Sequence, residues 1–338
     1  RYTLITAMPY DRPNTSMAGF PLCEDCRSEY ENPADRRFHA QPLACPVCGP
    51  GLEFQKNGVR FSEPDPALTD PALQGSGREQ GSLLQAVQAL DGGQILAIKG
   101  VGGYHLVCDA ANDEAVLALR ERKRRPHKPL AVMFPLEGED GLDAVRKHLV
   151  LDKVTAAALT DPARPIVLLP FVGASLARDR KKSRARLAPT SQLSHRLAPG
   201  LKELGAFLPY SPLHHELLRR FGGPIVATSG NVSGEPVITD NREAEQRLAS
   251  VADAFLHHDR PIVRPADDPV IRPMAGKART IRLGRGIAPL ERTLPGKLDR
   301  PLLATGGHMK DTIALAWDER VVISPHIGDL DSPRSQDV

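Results

Sequence analysis

Two hydrophobic periods alternate along the chain, and the changes from one to the other predict its elements. A short apolar run at 94–98 suits a buried strand ending at Lys99, and Gly100, Gly102 and Gly103 then allow a tight turn or a close approach of backbone to a ligand. Asn112 or Asp113 can cap the helix that follows, in which Ala115, Val116, Ala118 and Leu119 share one face. Arg120, Arg122, Lys123, Arg124 and Arg125 crowd its last turn, and Pro126 stops it. The same periods predict strands at 130–134, 165–169 and 224–228, and helices at 82–90, near 140–148 and at 214–221. Near the end, apolar strands at 301–307, 312–316 and 321–323 with a turn at 317–320 form a hairpin that is not stable alone and so opens a further domain. Strands alternating with helices make the fold class α/β.

Two stretches break this order. Residues 56–81 are rich in Pro, Asp, Gly and Ser without periodicity and read as a linker. Residues 175–200 carry Arg178, Arg180, Lys181, Lys182, Arg184 and Arg186 among Ala, Ser and Pro; such a segment buries too little apolar surface to order itself, and a mobile surface loop is expected. With 338 residues and 41% hydrophobic content, the chain can bury a real core and has room for two or three domains. A net charge of +3 is too mild for bulk attraction of anions, so anion binding has to come from local clusters. No apolar run approaches a membrane span and no signal peptide opens the chain, so a cytoplasmic protein is expected. Arg1, just before an apparent strand at 2–5, predicts an excerpt of a longer protein.

Cysteine spacing brings in chemistry. Cys23 and Cys26 form one CxxC pair and Cys45 and Cys48 another. Each pair makes a tight knuckle aiming two sulfurs at one point, and the set predicts a four-thiolate zinc site; two disulfides or a redox pair are the alternatives. Four ligands close the coordination sphere, so the zinc is structural. His39 is a surplus candidate ligand, and residues 35–39 read either as a solvated loop or as a nucleic-acid contact. Cys108 sits in an apolar strand and belongs to the core.

The cations of 120–125 admit two readings: a solvated helix C-terminus complementing the dipole, or a clamp for a triphosphate. The neighbouring glycines make neither a Walker loop nor a dinucleotide fingerprint. A second polar loop, TSGNVSG at 228–234, follows the strand at 224–228. In an open α/β sheet ligands bind beyond the carboxyl ends of strands, where this loop and Lys99 can face one crevice. Asp267 and Asp268 either hold a magnesium ion or pair with Arg264 and Arg272. His214 and His215 are adjacent, not at metal-ligand spacing.

Eight separated phrases, DRPNTSMAGFPLCEDC, CPVCGP, AIKGVGGYHLVCDA, KRRPHKPLAVMF, LPYSPLHH, ATSGNVSGEP, DRPIVRPADD and PHIGDLD, together resemble the HypF family, the carbamoyltransferases of hydrogenase maturation. The resemblance implies a zinc-finger module at 1–55, a linker at 56–81 and a YrdC-like nucleotide-binding domain with a twisted, mixed sheet at 82–293. At 294–338 it implies a linker and the truncated start of an actin-like ATPase-superfold transferase domain. An acylphosphatase domain and another finger precede this point in the family. The implied reaction joins ATP and carbamate, released from carbamoyl phosphate, into carbamoyl adenylate; the carbamoyl group later moves to a C-terminal cysteine of the partner HypE. On the Lys-x-Arg-Pro pattern, Lys123 and Arg125 become the catalytic, phosphate-holding pair, with Lys99, Ser229 and Asn231 completing the nucleotide site and Mg2+ accompanying ATP. Two positions depart from the family: Pro269 stands where a serine is usual, and 175–200 is long. A threonylcarbamoyl adenylate synthase serving tRNA modification, and an RNA-binding zinc module, are the competing functions.

Overall fold

The structure is a computed structural model that describes residues 2–61, 77–173, 193–232, 234–307, 311–328 and 333. The chain divides into two compact units. The first joins Arg1–Leu106 with Ser229–Asn231 and Val237–Ala266; the second joins Val107–Thr228 with Val232–Pro236 and Asp267–Val338. The six cations expected in the loop at 175–200 lie outside the described residues, as do Ser233, Asp329 and 62–76 of the expected linker.

In chain order, α1 (Glu24–Glu31) is followed by β1 (Leu52–Lys56), β2 (Val59–Phe61), α2 (Gly77–Asp91), β3 (Leu96–Lys99) and β4 (Tyr104–Asp109). Next come α3 (Asp113–Arg122), β5 (Val132–Met133), α4 (Asp143–Arg146), α5 (Lys153–Thr160), β6 (Ile166–Pro170), β7 (Glu203–Phe207), α6 (Pro212–Phe221) and β8 (Ile225–Ser229). The chain continues with α7 (Asn241–Leu248), β9 (Ala254–His258), β10 (Val270–Met274) and β11 (Lys277–Arg282). It closes with β12 (Leu290–Thr293), β13 (Leu302–Thr305), β14 (Ile313–Trp317) and β15 (Arg320–Ile323).

In the first unit β3 runs parallel to β9, which pairs antiparallel with β1, itself in a hairpin with β2. Asn57 and Gly58 make that hairpin turn, with φ of 52° and 76°. Asn-Gly is the strongest two-residue hairpin signal because both central residues need positive φ. Part of the stretch read as a linker is therefore strand and turn, and α2 already begins at Gly77 within it. α2 packs on β1 and β9 and α7 on β3, around buried Phe54, Leu90, Leu96, Ile98 and Leu256.

The mixed sheet of the second unit has the order β11-β10-β6-β7-β5-β8. β10 runs parallel to β6 and β5 to β7, while β6 and β7, β5 and β8, and β10 and β11 are antiparallel. Buried Leu119, Leu130, Met133, Phe134 and Phe207 fill its core. The expected C-terminal hairpin is wider than its apolar pattern: a four-stranded antiparallel sheet, β12-β15-β14-β13, in which the polar strand at Leu290–Thr293 pairs with β15. Alternation is hidden in LERT because three of its four residues are exposed.

The turn after β3 is held by close backbone packing. A Cβ on Gly102 would stand 2.3 Å from the Ala266 carbonyl oxygen, whereas one on Gly19 would meet nothing within 4 Å. Gly102→Ala is therefore expected to destabilise the chain by about 1–3 kcal/mol, as overpacking does, and Gly19→Ala to be near neutral; urea melts of both variants check this.

Candidate functional site

The metal site is built from the chain before β1. Cys23 caps α1 and Cys26 lies buried in its first turn, while the second knuckle closes through the Gly49 N–H donating to the Cys45 carbonyl at 2.8 Å. Cys23, Cys26, Cys45 and Cys48 bring four sulfurs within 4.8 Å of one another, with Cys23–Cys45 at 3.6 Å and Cys45–Cys48 at 3.7 Å. Four thiolates about 2.3 Å from a tetrahedral zinc lie roughly 3.8 Å apart, so the donor set fits that ion. None of the four is in a disulfide. His39 stays outside the sulfur group, its ring 5.1 Å from Tyr30 and 4.3 Å from Phe38.

Arg12, half-buried in a 3-10 turn, holds the two knuckles together. Its guanidinium donates to the carbonyls of Gln41 (2.8 Å), Leu43 (2.7 Å) and Phe20 (2.6 Å), the segments leading into each CxxC pair. This region is also tied to β9 and the chain after it: the Gly51 N–H donates to Asp259 Oδ1 at 2.9 Å, and Arg264 donates to the Ile5 carbonyl at 2.7 Å.

Of the five residues expected to hold a nucleotide, Lys99, Ser229 and Asn231 belong to the first unit and Lys123 and Arg125 to the second. Lys99 is 4% exposed at the end of β3 and donates to the His258 carbonyl at 3.1 Å. Burial, then Arg260, pushes its pKa down to about 8 against the pull of Asp240 and Asp259. Burial and then Lys99 push His258 down to about 3, so this imidazole is neutral. Its Nε2 faces the Gly100 carbonyl at 3.1 Å and acts there as the donor. Ser229 donates to Asn231 Oδ1 at 2.8 Å. Between them the Gly230 N–H donates to the Tyr104 carbonyl, and a Cβ on Gly230 would lie 2.6 Å from that of Tyr104. Only glycine lets this turn lie so close to β4.

The basic cluster of the second unit is not the helix turn that its sequence suggested. Asn112 caps α3 by accepting from the Glu114 and Ala115 N–H groups at 3.0 Å each, a contact worth about 1 kcal/mol. The helix ends at Arg122, well before Pro126, because Arg124 turns left-handed with φ of 51°. The Arg124 N–H then reaches back to the Glu121 carbonyl (3.0 Å) and the Arg125 N–H to the Arg120 carbonyl (2.8 Å). This is a Schellman cap, in which glycine is usual; a side chain at the left-handed position costs roughly 1–2 kcal/mol.

Lys123, the C-cap residue just after the helix, is 8% exposed. Burial, then the Arg125 and Lys128 cations, lowers its pKa to about 7, with Asp267 pulling the other way. Arg125 donates to Thr228 Oγ1 at 2.9 Å and to the Pro129 carbonyl at 2.7 Å, and its Nε is buried with no hydrogen-bond partner among the described residues. Burial, then Arg120 and Arg282, lowers its pKa to about 10. Arg120 points inward, and among the described residues its side-chain hydrogen bonds all go to backbone carbonyls.

Among the described residues, the ion pairs of the acidic pair and of Arg272 are made with other partners than each other. Asp268 pairs with Arg285 at 2.9 Å, while Arg272 pairs with Glu203 at 2.9 Å. Arg285 also lies 3.4 Å over the ring of Tyr210 and donates to the Ala163 carbonyl at 3.0 Å. Asp267 faces His326 of the PHIGDLD phrase at 3.7 Å. Pro269, the family departure, needs no N–H here: its carbonyl accepts from the Ile166 N–H at 2.9 Å where β6 and β10 begin to pair. Tyr210, Arg285 and His326 had no assigned role from the sequence; Tyr210 and His326 stand in two of the quoted phrases, and that is the signal that points to them.

A four-thiolate finger followed by a mixed α/β sheet with two buried lysines at strand and helix ends defines the class, a metal-finger protein of the YrdC-like type. The Sua5/YciO/YrdC family model, described as telomere recombination, matches residues 88–284, the HypF finger model matches 22–55, and the HypF Kae1-like domain model matches 297–338. With more than half of its length in the first, the chain belongs to the Sua5/YciO/YrdC family, and it matches the HypF finger before that domain and the HypF Kae1-like domain after it. The carbamoyltransferase HypF of Rhodobacter capsulatus is 42% identical over 98% of this chain and 39% of its own length. A crystal structure of full-length HypF in the phosphate- and nucleotide-bound form matches with a TM-score of 0.83 at 39% identity, over 100% of this chain and 39% of that one. A threonylcarbamoyl-AMP synthase of Vibrio campbellii is 24% identical over 51% of this chain and 84% of its own length. The chain thus spans about two fifths of the HypF proteins that it matches.

Freshly purified reduced protein is expected to carry one zinc per chain, and Cys45→Ser to lose it and melt at a lower temperature. Elemental analysis and thermal melts with and without a chelator check this.

Proposed function

We propose that this chain carries the nucleotide-activating part of a HypF-type carbamoyltransferase, converting ATP and carbamate into carbamoyl adenylate and pyrophosphate. The observation that carries the reading is the order of finger, YrdC-like domain and Kae1-like segment, matched over 98% of the chain by a carbamoyltransferase. In the reaction a carbamate oxygen attacks the α-phosphorus; the new P–O bond forms as the bond to the β-phosphate breaks and pyrophosphate leaves with the electron pair. Such chemistry needs charge neutralisation and alignment more than a side-chain nucleophile. Lys123 and Arg125 take the phosphate-holding role; the family resemblance also assigns Lys99, Ser229 and Asn231 to the nucleotide. Mg2+ accompanies ATP and neutralises phosphate charge; Asp267 is a carboxylate available to it.

In the whole protein, carbamate comes from carbamoyl phosphate and the carbamoyl group goes to the cysteine thiol of a HypE-type acceptor. The zinc is structural, and free thiols fit a reducing compartment, the cytoplasm. No described helix is long and apolar enough to cross a membrane. The finger favours this reading over threonylcarbamoyl adenylate synthesis. An RNA-binding role has less support, since the basic loop behind it lies outside the described residues.

Pyrophosphate exchange into ATP tests the reaction. Exchange is expected with bicarbonate plus ammonium, which supply carbamate, and not to require threonine; exchange only with threonine moves the assignment to the tRNA-modification enzyme. Lys123→Ala and Arg125→Ala should each weaken ATP roughly 10- to 100-fold, the range for one hydrogen bond to a charged group. Arg219→Ala, at a side chain 61% exposed, should leave ATP affinity unchanged.

Binding should also move protons. Lys123, lowered from 10.5 to about 7, is uncharged in the folded chain between those values while the unfolded chain keeps its proton, so stability without nucleotide rises with pH across that window. A phosphate beside Lys123 restores the charge. ATP binding at pH 8 to 9 is therefore expected to take up protons and to weaken as pH rises, less so in Lys123→Ala. Calorimetry in buffers of different ionisation enthalpy reads both.

A further inference from the structure

Arg120 belongs to the basic run that suggested a phosphate clamp, but its side chain faces the interior and is 5% exposed. From Nη1 it donates to the carbonyls of Arg125 (2.8 Å), Pro126 (3.1 Å) and Lys128 (3.2 Å). From the other edge of the same plane, Nε donates to the Arg196 carbonyl (2.7 Å) and Nη2 to the Leu197 carbonyl (3.0 Å). Its own carbonyl accepts the Arg125 N–H that closes the helix cap. One residue thus fixes the chain leaving α3 from both sides, wraps 125–128 around its guanidinium and ties that loop to 196–197, where the Leu197 carbonyl also accepts from the Leu130 N–H at 2.9 Å.

Three carbonyls converging on one nitrogen of a loop that also contains a left-handed arginine do not hold themselves together. The left-handed turn at Arg124 costs free energy, and the converging carbonyl dipoles repel one another unless a cation sits at their focus. The cap places Lys123 at the helix end and carries Arg125 toward Thr228, so the geometry of both follows from the turn that Arg120 closes. Lysine cannot replace it: an ammonium is a compact group that reaches one focus, whereas the planar guanidinium serves both edges.

We infer that Arg120 is the positioning residue of the nucleotide site, holding the 123–128 turn in the shape that presents Lys123 and Arg125 to a polyphosphate, without touching the ligand itself. This rests on the reading of Lys123 and Arg125 as the phosphate-holding pair. It assigns Arg120 to recognition of the polyphosphate rather than of the base or ribose.

The test is the preference for ATP over AMP in the full chain, read by calorimetric or fluorescence titration together with a thermal melt. Arg120→Ala and Arg120→Lys are both expected to lose ATP affinity about tenfold or more, the usual size when the support of a binding group is removed, while AMP affinity changes less than twofold. If Arg120 acts through Lys123, the losses are not additive: adding Arg120→Ala to Lys123→Ala should cost less than twofold more. Guanidinium ion at subdenaturing concentration should restore ATP preference to Arg120→Ala and not to Lys123→Ala. Should the alanine variant fail to fold, Arg120→Lys carries the test. ATP and AMP affinities unchanged in a folded Arg120→Lys, or a full additive loss in the double variant, overturn the assignment. If Lys123→Ala itself leaves ATP preference intact, the phosphate reading of the loop is what fails.

Discussion

The conformation of the second unit's basic loop depends on a guanidinium held by backbone carbonyls. Arg120 meets five of them and, among the described residues, no carboxylate, so it orders the 125–128 turn while keeping its charge. Pairing with an acid would have fixed the loop equally well but cancelled part of the field that a polyanion feels. Arg12 uses the same device in the finger, where three carbonyls converge on it near four sulfurs whose spacing fits a zinc ion. Both arginines join chain segments far apart in sequence through groups that every residue carries.

Where a cation does meet an acid, the purpose is different. Asp268 and Arg285 are both nearly buried, and Arg285 lies over Tyr210, so this pair locks the chain entering β10 to the loop after β11. The backbone reinforces the lock, with the Arg285 N–H donating to the Asp267 carbonyl at 2.8 Å. Asp267 itself, one residue away, keeps a more exposed side chain and is left to act on Lys123 and His326.

The two buried lysines set the energetic tension of the molecule. Lys99 and Lys123 sit where burial disfavours their charged forms, and the nearest cations add to that penalty. A folded protein keeps such groups at a cost in stability, and an anion relieves it. The left-handed Arg124 is a second cost placed at the same turn. Strain and desolvation are thus gathered in one short segment, while the rest of α3 is well capped and well packed.

How much of this was legible in the sequence follows the distance over which each feature is determined. The CxxC knuckles, the Asn112 cap and the spacing of Lys123 and Arg125 are set within a few residues, and motif and capping rules reach that far. The Asn57 and Gly58 turn is equally local, but the Pro-, Asp-, Gly- and Ser-rich stretch that follows it masks the signal. Partner choice was not legible. Asp268 pairs with Arg285, Arg272 with Glu203 and Arg264 with the Ile5 carbonyl, and Arg120 turns inward while Lys123 sits at the helix cap, because the sheet decides which loops come together. A charge in a sequence carries its sign but not its direction. Periodicity says which face of a helix is apolar; only the packed structure decides which carbonyls are left without partners, and so which arginine is drawn in to satisfy them.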